Sequence, residues 1–146
     1  MENLFVINSQ HDINKLKRNK KFLTSIIDQL SHAYSNIHIT TSDYRNSTEV
    51  RIGCHKNMAC CHSFKILEKK GIIEYSSYPT LLFDSERYSK RPNYIKANEL
   101  LEKHPDSTWR KQEFQLKLDI RDESDFRDKV KDIVWALELD GFTLSR

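Results

Sequence analysis

Glycine is scarce in this chain, with three among 146 residues, and no stretch clusters them. A Walker loop or a dinucleotide-binding turn needs several glycines close together so that backbone can approach phosphate, so nucleotide-cradling folds are excluded. Proline is equally sparse at three, and no proline- or glycine-rich linker divides the chain. The three cysteines, Cys54, Cys60 and Cys61, crowd into eight positions. An odd number so placed is no disulfide framework, and a reducing cytoplasm is the expected location. Long apolar runs are missing too, which leaves no candidate for a transmembrane helix or a signal-peptide core. The expectation is one soluble domain over 1–146, since a domain takes roughly 100–200 residues.

Charge is abundant but nearly balanced. Lysine and arginine number 24 against 21 aspartates and glutamates, a net +3 that is mild for a dedicated polyphosphate binder and still compatible with a local basic patch. Its distribution is uneven: residues 1–103 carry 16 basic and 11 acidic side chains, residues 104–146 carry 8 and 10. The densest positive run is Lys15, Lys17, Arg18, Lys20 and Lys21; the densest negative run is Asp119, Asp122, Glu123, Asp125 and Asp128. Each reads either as a solvated helix face or as one side of an electrostatic interface.

Periodicity supplies the elements. Residues 3–8 read as a short strand, and Ile13, Leu16, Leu23, Ile27, Leu30 and Tyr34 recur at helical spacing over 12–34. Residues 37–43 and 49–54 alternate as a hairpin. Residues 56–70 read as a helix stopped by Gly71, with lysines in its last turn. Strands follow at 72–75 and 80–84 around Tyr78-Pro79, and Pro92 opens a helix to 103. Residues 85–92 and 104–108 are the expected exposed loops. Phe114, Leu116, Leu118 and Ile120 alternate with polar residues as a strand, and Asp122 with Asp125 caps a helix striped by Phe126, Val130, Ile133, Val134 and Leu137. The sum is α+β: a mixed or antiparallel sheet of about five to six strands packed by about four helices. A basic part over 1–91 and a helix-strand-helix part over 92–146 are its natural subdivisions.

The run from Gly53 to Ile73, with Leu67-Glu-Lys-Lys-Gly71-Ile-Ile at its end, looks like the second half of a winged helix-turn-helix, a resemblance confined to residues 48–84. The family pattern implies a recognition helix over 56–70 and a wing over 72–84. It further implies that Lys65 and Lys69 neutralise phosphates while Asn57, Met58, Cys61 and His62 lie closest to base edges. The alternative is a helix that merely packs on a sheet with its lysines in water.

Two metal chemistries are also represented. Cys54, His55, Cys60, Cys61 and His62 are zinc-type ligands, although no Cys-x2-Cys pair occurs, and small buried thiols explain Cys54 and Cys60 equally well. Asp43 and Glu49-Val-Arg51 resemble the Asp…Glu-x-Lys pattern of PD-(D/E)xK nucleases, with Arg51 where that family has lysine. No glycine-flanked serine elbow exists. The leading expectation is a non-enzymatic regulator that binds duplex DNA reversibly, with no cofactor or metal. Lys15, Lys17, Arg18, Lys20 and Lys21 would contact the backbone, and the 56–70 helix would read bases. The rival is a small inhibitor or immunity-type factor that blocks a protein target through the acidic C-terminal third or through exposed aromatics such as Tyr88, Tyr94 and Trp109. A homodimer stays open, and no membrane is expected.

Overall fold

The computed structural model describes residues 10–44, 47–56, 61–67, 70–79, 92–110 and 113–145. Three helices and six strands occur among them: α1 (Gln10–Ala33), β1 (His38–Tyr44), β2 (Ser47–Gly53), β3 (Cys61–Leu67), β4 (Ile72–Ser77), α2 (Pro92–Lys103), β5 (Thr108–Arg110), β6 (Glu113–Ile120) and α3 (Glu123–Leu139). The strands form one sheet in the order β1-β2-β3-β4-β6-β5, and every neighbouring pair is antiparallel. The first four strands run as a meander. The β5–β6 hairpin then places β6 against β4, leaving β1 and β5 at the ends of the strand order.

Register explains which face is buried. Val50 opposes Phe64, Phe64 opposes Tyr75 and Tyr75 opposes Leu118, so period-two alternation in four strands aligns on one side of the sheet. The helices cover that side: α1 lies against β3 and β4, while α2 and α3 lie against β6. The α1 stripe Leu23, Ile26, Ile27, Leu30 and Tyr34 joins Ile52, Phe64, Ile73, Leu116, Ile120, Ile133 and Leu137 in one core cluster. On the other face Glu49, Ser63, Lys65, Glu74, Ser76, Lys117 and Asp119 are half-buried and Arg51 is exposed. The architecture is therefore two layers, helices on sheet.

α3 starts as its sequence requires, with Asp122 extended and its side chain accepting from the Asp125 amide at 2.8 Å. Gly141, at φ +101°, turns the chain beyond the helix, and residues 143–145 return to bond Ala33 and Ser35.

Among the described residues there are three helices, not about four, and the expected 56–70 helix is not one of them. Within 56–70 the described residues Cys61–Leu67 are strand β3, hydrogen-bonded between β2 and β4. His62, Phe64 and Ile66 point inward and Ser63, Lys65 and Leu67 alternate with them, a period of two that the adjacent Ile66 and Leu67 disguise as a helical arc. Gly71 has its positive φ of 68° in the β3–β4 turn rather than at a helix end. The recognition helix of the winged helix-turn-helix pattern is thereby replaced by a strand, and residues 47–53, where that pattern needs a further helix, are β2. Strand β5 begins at Thr108, the last residue of the expected 104–108 loop, and that segment is not uniformly exposed, since His104 and Ser107 are buried and bonded to Asp132 and to Lys117 of β6. The expected strands at 3–8 and 80–84 lie outside the described residues.

Candidate functional site

The basic run separates from the rest of the charge once the helix is seen in place. Arg18, Lys20 and Lys21 are exposed, and Arg18, Lys21, Ser25, Gln29 and His32 form one exposed row at three- and four-residue steps, opposite the buried stripe. No ion pair to Arg18, Lys20 or Lys21 occurs among the described residues. Lys15 and Lys17 belong to the same helix, with side chains outside the described set. Some cations elsewhere are engaged, Arg51 with Glu49 at 3.3 Å, Lys117 with Glu74 at 3.6 Å, Lys129 with Asp125 at 3.1 Å and Lys103 with Asp132 at 2.9 Å, whereas Lys56, Lys70, Arg110, Arg127 and Lys131 are exposed with no ion pair among the described residues.

The second half of the expected interface is not assembled. Lys65 is half-buried in β3 with Glu49 opposite it on β2 and Glu74 opposite it on β4, so two carboxylates flank the amine proposed to meet phosphate. His62 is wholly buried, and Cys61 opens β3 opposite Gly53. Neither sits on a groove-reading helix. Asn57, Met58 and Lys69 lie outside the described residues.

The metal readings lose their geometry. Among the described residues no group of three or more His, Cys, Asp and Glu side chains could hold an ion. Cys54 is buried and its thiol donates to the Asp140 carbonyl at 2.9 Å, while His55 is exposed; Cys60 lies outside the described residues. In the β1–β2 hairpin Asp43 opposes Thr48 and Glu49 opposes Ser42, so positions 43 and 49 fall on opposite faces of the sheet. The Glu49 carboxylate already accepts from Ser63 at 2.6 Å and pairs with Arg51.

Two buried polar clusters escaped sequence reading. His62 lies between Asp140 Oδ2, 2.6 Å from Nε2, and the Tyr75 hydroxyl, 2.7 Å from Nδ1; Ser77 lies 2.8 Å further on. Phe142 closes over the imidazole edge-on at 5.4 Å. Burial, and the Asp140 charge beside it, push the Tyr75 phenol well above its ordinary range despite the Ser77 bond. Beside it the Tyr34 phenol is raised by burial and by Glu138, whose carboxylate it bonds at 3.3 Å. With His62 and Tyr75 wholly buried, this Asp–His–Tyr–Ser chain ties the end of α3 to the sheet. The second cluster joins α2 to α3. Asp132 is buried and receives His104 Nε2 and Lys103 Nζ, both at 2.9 Å, with Lys96 at 3.7 Å. Burial raises its carboxyl, but the bonds and charges of His104 and Lys103 outweigh that and hold it below the usual carboxylate range.

At the β5 edge the half-buried Tyr94 and Trp109 rings stack at 5.2 Å, and the Trp109 indole donates to Asn98 at 3.0 Å. Ile95 is 48% exposed nearby in sequence. An open depression at the end of α3 is lined by Glu138, Phe142, Thr143, Leu144 and Ser145. No helix among the described residues is long and apolar enough to cross a membrane. No protein-family model, curated protein or solved structure matches the chain.

Proposed function

We propose that this protein is a non-enzymatic binding protein that holds nucleic acid by its phosphate backbone through the N-terminal half of α1. The observation that carries the reading is the set Arg18, Lys20 and Lys21: exposed, three within four residues of one helix, and free of carboxylate partners among the described residues. Arg18 and Lys21, one turn apart on a rigid helix face, are unneutralised cations of the kind that displaces counterions from a polyanion, and Lys20 adds its charge from the flank of the helix. Base-edge readout is left out of the proposal, because Cys61 and His62, two of the residues assigned to it, lie in strand β3; affinity is expected to be indifferent to sequence. A cytoplasmic location goes with it, supported by the cysteine usage.

Anisotropy of a labelled duplex, titrated across a salt series, tests the proposal. Wild-type protein is expected to bind at low salt and to weaken steeply as salt rises. The triple variant Arg18→Gln, Lys20→Gln, Lys21→Gln is expected to flatten the log–log slope by about 0.9 per lost contact, roughly 2.7 in all. Absence of binding at low salt, or an unchanged slope in the variant, overturns it.

A second reading, a protein-binding inhibitor or immunity-type factor, is favoured by the Tyr94–Trp109 stack with Ile95 beside it, since aromatic anchors dominate protein interfaces. Its signature is a single partner retained at high salt and lost on Ile95→Asp.

A further inference from the structure

We propose that α2 is a releasable flap whose closed position is set by one pin, the Asp132 carboxylate. The helix is short, twelve residues, and among its described side chains only Ala97 and Leu100 are fully buried apolar groups, with Leu101 partly buried beside them. Its tie to α3 converges on a single group: Lys103 and His104 both reach Asp132 Oδ2 at 2.9 Å, and Lys96 approaches Oδ1 at 3.7 Å. The other charges near this carboxylate do not replace it. On α3 Lys129 is committed to Asp125 and to the Asp119 carbonyl, while Asp128 and Lys131 are exposed. On α2 Glu99 and Glu102 are exposed, and β6 presents Phe114, Leu116, Leu118 and Ile120 to the helix layer, with no charge. Removing the negative charge therefore leaves three cationic or donor groups of the α2 end gathered around nothing, while the core formed by α1, α3 and the sheet keeps its contacts. Elements with few buried apolar contacts open below the global unfolding free energy.

The fold carries a reporter of this opening. Trp109, on β5, touches α2 twice, by its stack on Tyr94 and its bond to Asn98. With Trp135→Phe as background, it is the sole tryptophan of the chain.

The test compares wild-type protein with Asp132→Asn at neutral pH by amide hydrogen exchange. The expected result is exchange of residues 92–103 accelerated by about tenfold or more, with α1 and the central strands still protected and Trp109 emission shifted to the red. Protection of 92–103 unchanged in the folded variant, or lost together with α1 and β3, overturns the proposal. Should Asp132→Asn fail to fold, Lys103→Met, at a 54% exposed position, is read in the same way. The Trp135→Phe protein titrated with acid gives an independent arm: Trp109 emission is expected to change before far-ultraviolet circular dichroism does, and coincidence of the two refutes the flap.

Discussion

Replacing His62 by leucine tests whether the Asp140–His62–Tyr75 chain is what fastens α3 to the sheet. The imidazole is wholly buried and makes two hydrogen bonds, to Asp140 at 2.6 Å and to Tyr75 at 2.7 Å. Leucine fills much of the ring's volume, so a cavity contributes little, and Tyr75 keeps Ser77 at 2.8 Å. What is lost is the group facing a buried carboxylate at the end of a helix, where the macrodipole already disfavours negative charge. Breaking one side of such a pair costs about 3–5 kcal/mol. A domain of this size has roughly 5–15 kcal/mol in total, so the variant is expected to fold with little margin. At a slope near 2 kcal/mol/M the urea midpoint falls by about 2 M. Urea unfolding followed by fluorescence reads this directly, with an unchanged slope as the check that the folded state is the same. In a cycle with Asp140→Asn the two losses are expected to be less than additive, because both variants break the same His62–Asp140 bond. A loss below about 1 kcal/mol for His62→Leu refutes the reasoning, since that is the worth of an ordinary solvent-exchangeable hydrogen bond.

The acid limb of the stability curve supplies a second prediction. Asp132 has its folded-state pKa lowered, so it stabilises the protein at neutral pH, and that contribution disappears as pH falls through the ordinary carboxylate range; Asp132→Asn is expected to flatten the limb measured by urea midpoints from pH 6 downward. Gly141→Ala is expected to cost about 1–2 kcal/mol in chemical unfolding although its new methyl meets only Cys54 Sγ at 3.7 Å, because the φ of +101° and not crowding sets the penalty; a neutral result contradicts the backbone account. Lys65→Ala, between Glu49 and Glu74, is expected to leave the salt slope of duplex binding unchanged and to alter stability by at most about 1 kcal/mol; a lost slope would restore Lys65 to the interface.

Much of the architecture was written in local periodicity. The α1 stripe, the 92–103 helix opened by proline, the alternating Phe114–Ile120 strand and the Asp122 cap are each produced by neighbours within a few positions, and the structure carries all four. The basic run on α1 was legible for the same reason, since helical spacing alone puts Arg18 and Lys21 away from the apolar stripe. Residues 61–67 were not. Their local pattern ends in Leu67 and Gly71 like a helix, and what makes them a strand is the ladder of partners supplied by β2 on one side and β4 on the other.

The amino-acid order by itself settled which segments have a buried face, because that depends on spacing along one chain. Only the tertiary structure decided which charges remain available. Asp140 comes to His62 across 78 positions and Asp132 to His104 across 28. Glu49 and Glu74 bracket Lys65 through strand register. The strength of an electrostatic pair is set by distance and burial in space, and sequence separation records neither.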